Sequence, residues 1–268
     1  MIEASRDKTY DVDSRIPEIY DLIETQTEDI SLIRELIGNR IPLRILEAFC
    51  GNGRILIPLA KDGHTITGLD KSEPMLNSLH HKMEQLPESV LKNITIIQAD
   101  VLSEKWPVDF DLVLLGGNCF YELATPEEQE KCIWLARNAL KPGGYLYLDN
   151  DHMEGDLDPS WYRPGIKYGS FPTGKCSDGT LIRGSRQVIW YDIPKRLVQF
   201  RRTVEMKTPD GEINRKEWIE QKHPPSTFEM KEWLNKYGSE IENLWGNRDK
   251  SHYTDDSPRA VFWARLIE

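Results

Sequence analysis

Two glycines and a spaced series of acidic residues carry the first chemistry legible in this chain. Ile45-Leu46-Glu47-Ala48-Phe49-Cys50-Gly51-Asn52-Gly53 runs from an apolar segment with an acidic end into a Gly-Asn-Gly turn, and an apolar helix follows directly. Gly51 and Gly53 omit a Cβ where a ligand must approach the main chain. The helix start presents unpaired N–H groups to the charged tail of a nucleotide-like ligand. His64-Thr-Ile-Thr-Gly-Leu-Asp70 reads as a second strand ending in a carboxylate. Asp70 lies about twenty residues past the turn, the offset at which an acidic side chain takes a ribose hydroxyl pair. A third strand, Ile94 onward, ends in Asp100; a fourth, from Phe110, opens into Gly116-Gly117-Asn118; a fifth, from Tyr145, ends in Asp149. Open α/β sheets bind ligands at the carboxyl ends of their strands. Asn118, an amide on a tight turn, and the crowded run Asp149, Asn150, Asp151 and His152 are therefore the candidates for work on a reacting group. The turn alone would also favour an asparagine, and the acidic run would also suit a solvated loop.

The elements that must hold these residues follow from periodicity. Thr27 to Gly38 has helical apolar spacing, with Thr27 as N-cap and Gly38 as stop. Ser72 caps a helix after Asp70, and Glu73 favours its dipole. Thr125-Pro126 opens a helix that runs to Leu140, before Pro142-Gly143-Gly144. Asp156 to Gly179 is rich in Gly, Pro and aromatics without a period and reads as loop. Arg186–Tyr191, Leu197–Met206 and Ile213–Gln221 read as antiparallel strands, and Arg186, Arg201 and Trp218 on them read as a solvated sheet face. Ser226 to Gly238 is a capped amphipathic helix, and Ile241–Trp245 and Ala260–Ile267 are closing strands. The expected divisions are a helical N-terminal cap over 1–41, an alternating core over 42–150, a loop and antiparallel insertion over 151–222, and a closing segment over 223–268.

The chain has 268 residues and a formal net charge of −10. That balance repels polyanions and counts against nucleic acid as a partner. Cys50, Cys119, Cys132 and Cys176 show neither paired nor metal-type spacing, so no metal is expected and a reduced, cytoplasmic setting is. No segment has the length and apolarity of a membrane span or a signal core, so no membrane partner is expected.

In this order the motifs resemble those of the class I S-adenosylmethionine-dependent methyltransferases. That family's first motif usually reads acidic-x-Gly-x-Gly-x-Gly; Glu47, Gly51 and Gly53 match it, and Phe49 stands where the first glycine is usual. The resemblance implies an α/β fold: a Rossmann-like seven-stranded sheet with helices on both faces, here with a helical N-terminal cap and a small antiparallel β insertion. It implies S-adenosyl-L-methionine as cofactor and S-adenosyl-L-homocysteine as product. By the same resemblance Glu47, Ala48, Cys50, Gly51 and Gly53 surround the cofactor, with Asp70 and Lys71 at its ribose. Met75 lies over the adenine or serves as a core methionine, Asp100 accepts from the adenine amino group, the Val101 N–H meets a ring nitrogen, and Gly116 is a further cofactor-binding residue.

The layout is also similar to one branch, the small-molecule N-methyltransferases such as the glycine/sarcosine and sugar N-methyltransferases. Gly117-Asn118-Cys-Phe-Tyr-Glu-Leu123 is similar to their Gly-Asn-Ser-Phe-x-x-Leu turn, Tyr20-Asp21 to a Tyr-Asp pair near their N-terminus, and Tyr253-Thr-Asp-Asp-Ser-Pro-Arg259 to a closing hairpin of many relatives. This implies transfer to a small-molecule amine by in-line displacement. Asn118, Asp149, Asp151 and Tyr20 are the reacting-site residues, and Tyr10 and Tyr20 are able to close over the cofactor. Asp151 stands where glycine-type relatives place a carboxylate-binding arginine, so a cationic acceptor is expected over an α-amino acid. O-methylation, or cofactor binding without transfer, are the alternatives. The oligomeric state, including a homodimer, stays open.

Overall fold

The computed structural model describes residues 6–40, 42–103, 105–151, 154 and 157–267. In chain order the strands are β1 (Arg44–Ala48), β2 (Thr65–Asp70), β3 (Ile94–Gln98), β4 (Phe110–Leu115), β5 (Leu140–Asp151), β6 (Lys167–Lys175), β7 (Leu181–Asp192), β8 (Leu197–Lys207), β9 (Ile213–Lys222), β10 (Ser239–Trp245) and β11 (Arg259–Leu266). The helices are α1 (Ile16–Ile23), α2 (Glu28–Ile37), α3 (Leu56–Lys61), α4 (Glu73–Met83), α5 (Glu88–Leu91), α6 (Pro126–Ala139), α7 (Pro159–Tyr162) and α8 (Thr227–Lys236).

The chain divides into two compact units. The larger comprises residues 26–120, 127–155 and 225–268. Its sheet has the order β10-β11-β5-β4-β1-β2-β3. β1 to β5 run parallel, and β11 lies antiparallel between β5 and β10. The strand order reverses between β1 and β4, so a crevice for a ligand opens at their carboxyl ends. The parallel strands read as near-continuous apolar runs, and Leu112, Val113, Leu114 and Leu115 are at most 1% exposed, as expected of a sheet covered on both faces. Ile33, Ile45, Leu56, Ile66 and Leu79 pack into one core with Tyr147 and Val261.

The smaller unit comprises residues 1–25, 121–126 and 156–224. Its sheet is β6-β7-β8-β9, antiparallel throughout. Ile16 and Ile19 of α1 join Ile182, Val204 and Met206 in its core. The expected 1–41 cap is therefore divided: α1 belongs with the insertion sheet and α2 with the parallel sheet.

Several boundaries differ from the sequence reading. The stretch read as loop contains α7 and β6. β6 is an edge strand whose Gly169, Pro172 and Gly174 erase the alternating pattern, and its register shifts between Ser170 and Thr173, where an edge strand tolerates proline. β3 stops at Gln98, leaving Asp100 in the following turn. β5 begins at Leu140, because Leu140 already pairs with Phe110 across an irregularity. Thr27 occupies the N-cap position of α2 without a side-chain cap bond. The expected caps hold on α4 and α8, where Ser72 accepts from Met75 N and Ser226 forms a reciprocal capping box with Glu229.

Among the described residues no helix is long and apolar enough to cross a membrane, and no group of three or more His, Cys, Asp or Glu could hold a metal ion. The four cysteines are buried and form no disulfide.

Candidate functional site

The parallel sheet brings the first motif and Asp70 together. Cys50 N donates to the Leu69 carbonyl at 3.0 Å, so the turn after β1 lies against the end of β2. Asp70 spans that junction: Oδ2 accepts from Gly51 N and Oδ1 from Ser72 N, both at 2.8 Å. The turn passes through the left-handed region at Phe49 (φ 60°), Gly51 (φ 52°) and Gly53 (φ 83°). Phe49 thus holds a conformation that suits glycine and costs a side-chain-bearing residue about 1–2 kcal/mol. At Gly51 a Cβ would stand 3.1 Å from the methyl carbon of Met75, so the buried Met75 side chain lies over this glycine. α3 begins only at Leu56, leaving residues 51–55 as a turn between strand and helix.

Glu47 is 5% exposed, and its Oε2 has no hydrogen-bond partner. Burial pushes its carboxyl well above the ordinary carboxylate range; Arg54 opposes that, and Asp29 and Asp70 add to it. Burial also pushes the Cys50 thiol up, with Glu47 and Asp70 behind it. Ala48 is buried beside them, paired with Leu69. On the next strand end, the Lys71 carbonyl accepts from Gln98 Nε2 at 3.5 Å. Asp100 Oδ1 caps Leu102 N at 2.8 Å, and the Val101 carbonyl accepts from Trp106 Nε1 at 2.9 Å. A Cβ at Gly116 would stand 3.2 Å from Ile55. The turn that follows β1 therefore lies against both neighbouring strand ends.

Asn118 follows Gly117, and both have positive φ (63° and 65°), a conformation asparagine tolerates better than most. Its amide polarity is fixed. Oδ1 accepts from Asp151 N at 2.7 Å and from Arg259 Nη2 at 3.0 Å. With both acceptor positions used, the group left to meet a ligand is Nδ2, a donor, which makes no hydrogen bond among the described residues. Arg259 is the hub: Nε donates to Asp149 Oδ1 and Nη1 to Asp151 Oδ1, each at 2.6 Å. Asp149 is fully buried, and its Oδ2 takes Arg248 Nε at 2.9 Å and the Tyr147 hydroxyl at 3.1 Å. Arg248 continues to Asp29 at 3.7 Å, and Arg54 grips Asp29 at 2.5 and 3.0 Å. Burial opposes the charge on Asp29, yet Arg54, with Arg248 behind it, holds its pKa below the ordinary value.

This ladder corrects one expectation. The cation that meets Asp149 and Asp151 is Arg259 of the same chain, so the pair does not wait for a cationic ligand. Asp149 is enclosed by two guanidiniums and a phenol, whereas the Asp151 side chain is 49% exposed. Asn150, the next residue along, is fully buried with neither amide atom hydrogen-bonded. His152 lies outside the described residues. Tyr20 and Tyr10 belong to the smaller unit, where they form an aromatic group with Phe171 at centroid separations of 5.6–6.2 Å. There, too, only Arg201 fits the solvated face expected of it: Trp218 packs against the core, and Arg186 stacks on aromatic rings. Sequence reasoning missed Arg259, Arg248, Arg54 and Asp29. The available signal was the pair of acidic residues ending β5, which in a buried setting require cations from elsewhere.

The strand order and the reversal between β1 and β4 define an open α/β fold of the class I methyltransferase type. Residues 45–144, which run from β1 through the glycine turn to beyond β4, match the family model described as a methyltransferase domain. The chain is similar to phosphoethanolamine N-methyltransferase 1 of Triticum aestivum, 29% identical over 171 residues that cover 60% of this chain and 32% of that one. It is also similar to the ubiquinone biosynthesis O-methyltransferase of Pseudomonas entomophila (strain L48), 26% identical over 147 residues, covering 54% and 59%. It thus spans about a third to three fifths of the length of these curated relatives. Among solved structures, the fold matches CalS10, an S-adenosylmethionine-bound amino pentose methyltransferase from Micromonospora echinaspora. The TM-score is 0.60 at 18% identity, covering 96% of this chain and 93% of that one.

Proposed function

We propose that this chain is an S-adenosylmethionine-dependent methyltransferase that acts on a small-molecule acceptor at an amine nitrogen. The observation that carries the reading is the arrangement of strand ends: the Gly51 turn joined to Asp70, with Asn118 at the end of the adjoining β4. The residues suit the cofactor. Asp70 has acceptor capacity beyond its Gly51 and Ser72 N–H partners to offer to ribose hydroxyls, Gly51 and Gly53 leave room at the main chain, and Asp100 and Val101 offer an acceptor and a donor to adenine. When bound, S-adenosylmethionine supplies a methyl group on a sulfonium, already activated for displacement.

The remaining work is alignment and proton removal. Asn118 Nδ2 donates to an oxygen of the acceptor and aligns it, and alignment of this kind is worth several kcal/mol. Arg259 and Asp149 are positioning residues that hold the Asn118 amide in that sense. Asp151, the more exposed carboxylate, takes the proton that an amine must lose before attack. The acceptor therefore carries a hydroxyl, carbonyl or similar oxygen near the methylated nitrogen. The phosphoethanolamine N-methyltransferase among the similar proteins supports nitrogen; the O-methyltransferase supports a hydroxyl acceptor as the second reading.

The test uses methyl-labelled S-adenosylmethionine and paired amines and amino alcohols, with products read by mass spectrometry. Label on an amino alcohol, with a rate that rises with pH as the amine deprotonates, is the expected result. Label only on phenols or alcohols establishes the second reading, and no label on any acceptor removes both.

A further inference from the structure

The smaller unit contains buried charges that the proposed transfer does not use. Arg186 on β7 and Arg202 on β8 stand directly opposite each other, where like charges repel. Arg202 is 7% exposed. Its Nη2 donates to Thr9 Oγ1 at 3.2 Å and to the Phe171 carbonyl at 2.7 Å, and its Nε has no hydrogen-bond partner. The Arg186 guanidinium lies 5.0 Å from the Trp161 ring centre and 5.2 Å from that of Phe200. It donates Nη2 to Ser160 Oγ at 2.5 Å and also leaves Nε without a partner.

The carboxylates nearby leave these two Nε–H groups unsatisfied. Asp7 pairs with Lys222 at 2.7 Å. Glu220 is fully buried, and its Oε1 stands 3.7 Å from Arg202 Nε, too far for a hydrogen bond; that oxygen has no partner. Burial, and then Asp7, push the Glu220 carboxyl above its ordinary value, toward the neutral form. Each guanidinium thus keeps an unused Nε–H, although Glu220 stands beside Arg202 and Asp158 also acts on Arg186. Guanidinium forks match the geometry of carboxylate and phosphate oxygens.

We propose that this face of the insertion sheet binds an oxyanion, the carboxylate or phosphate group of a small molecule, between Arg186 and Arg202. The site lies within the smaller unit, so it stands whether or not the methyl-transfer reading does.

Thermal unfolding of the full chain in chloride, inorganic phosphate and acetate at constant ionic strength tests this without cofactor. A saturable rise in Tm with an oxyanion, and none with chloride, is expected. Response to phosphate alone assigns a phosphate, response to acetate alone a carboxylate, and response to both the shared chemistry. Arg186→Gln relieves the like-charge contact, so in chloride its Tm equals or exceeds wild type, and in saturating oxyanion the order reverses. Arg186→Lys keeps the charge but loses the fork, and its midpoint moves to about tenfold higher oxyanion. Arg183→Gln, exposed on the same strand, responds like wild type. No saturable rise in either probe, or a wild-type response from the Arg186 variants, overturns the proposal.

Discussion

Asn118 is at once a turn residue and a site residue. Its positive φ explains why asparagine is tolerated, and its fixed amide explains what it offers. Asn118→Asp keeps an oxygen toward Arg259 and Asp151 N but removes the outward donor. We expect both it and Asn118→Ala to lower kcat by about ten- to a hundredfold, with cofactor affinity changed less than about twofold. Single-turnover rates beside equilibrium binding check this; equal kcat at saturating substrates removes Asn118 from the chemistry. Glu47 makes a different prediction. Its folded pKa lies above the ordinary 4.5, so the fold binds its proton more tightly than the unfolded chain does. Stability from that proton is full below about pH 4.5 and is lost as pH rises toward the folded value. Glu47→Gln removes this dependence, so its Tm should gain on wild type between about pH 5 and pH 8. A constant difference across that range would show that Glu47 stays ionised.

At the scale of elements, α2 is tied to the sheet through charge as well as apolar packing. Asp29 in its first turn receives Arg54 from the glycine turn and Arg248 from the β10–β11 connection. Asp29→Asn leaves two part-buried guanidiniums short of a partner beside a buried site and should cost about 3 kcal/mol in urea unfolding. A loss below about 1 kcal/mol would mean that the ladder is solvated. The parallel strands, the α4 and α8 caps and the order of the motifs were legible because each is a local pattern: apolar runs, Ser before a helix, Gly at turns. β6 was not, since glycine and proline hide its alternation. The ladder was not either. Asn118 and Arg259 are separated by 141 positions, and spacing in sequence carries no trace of such a contact. The site was thus readable as strand ends but not as the bonds that orient them. In the sequence, Asp149 and Asp151 read equally as carboxylates for a ligand or as a solvated loop, whereas in the fold Arg259 pairs with both.

At the scale of the molecule, two units with separate cores divide the chemistry. The larger carries the glycine turn, Asp70 and Asn118, and the smaller carries the paired arginines. The net charge of −10 weighs against polyanions without preventing a local site for one oxyanion. Cofactor binding belongs to the larger unit, and titration calorimetry with S-adenosylhomocysteine measures it. We expect saturable binding to one site, weakened by about 1.5–3 kcal/mol in folded Asp70→Ala through loss of charged hydrogen bonds. No binding to the folded wild-type chain, or equal affinity in Asp70→Ala, would contradict it.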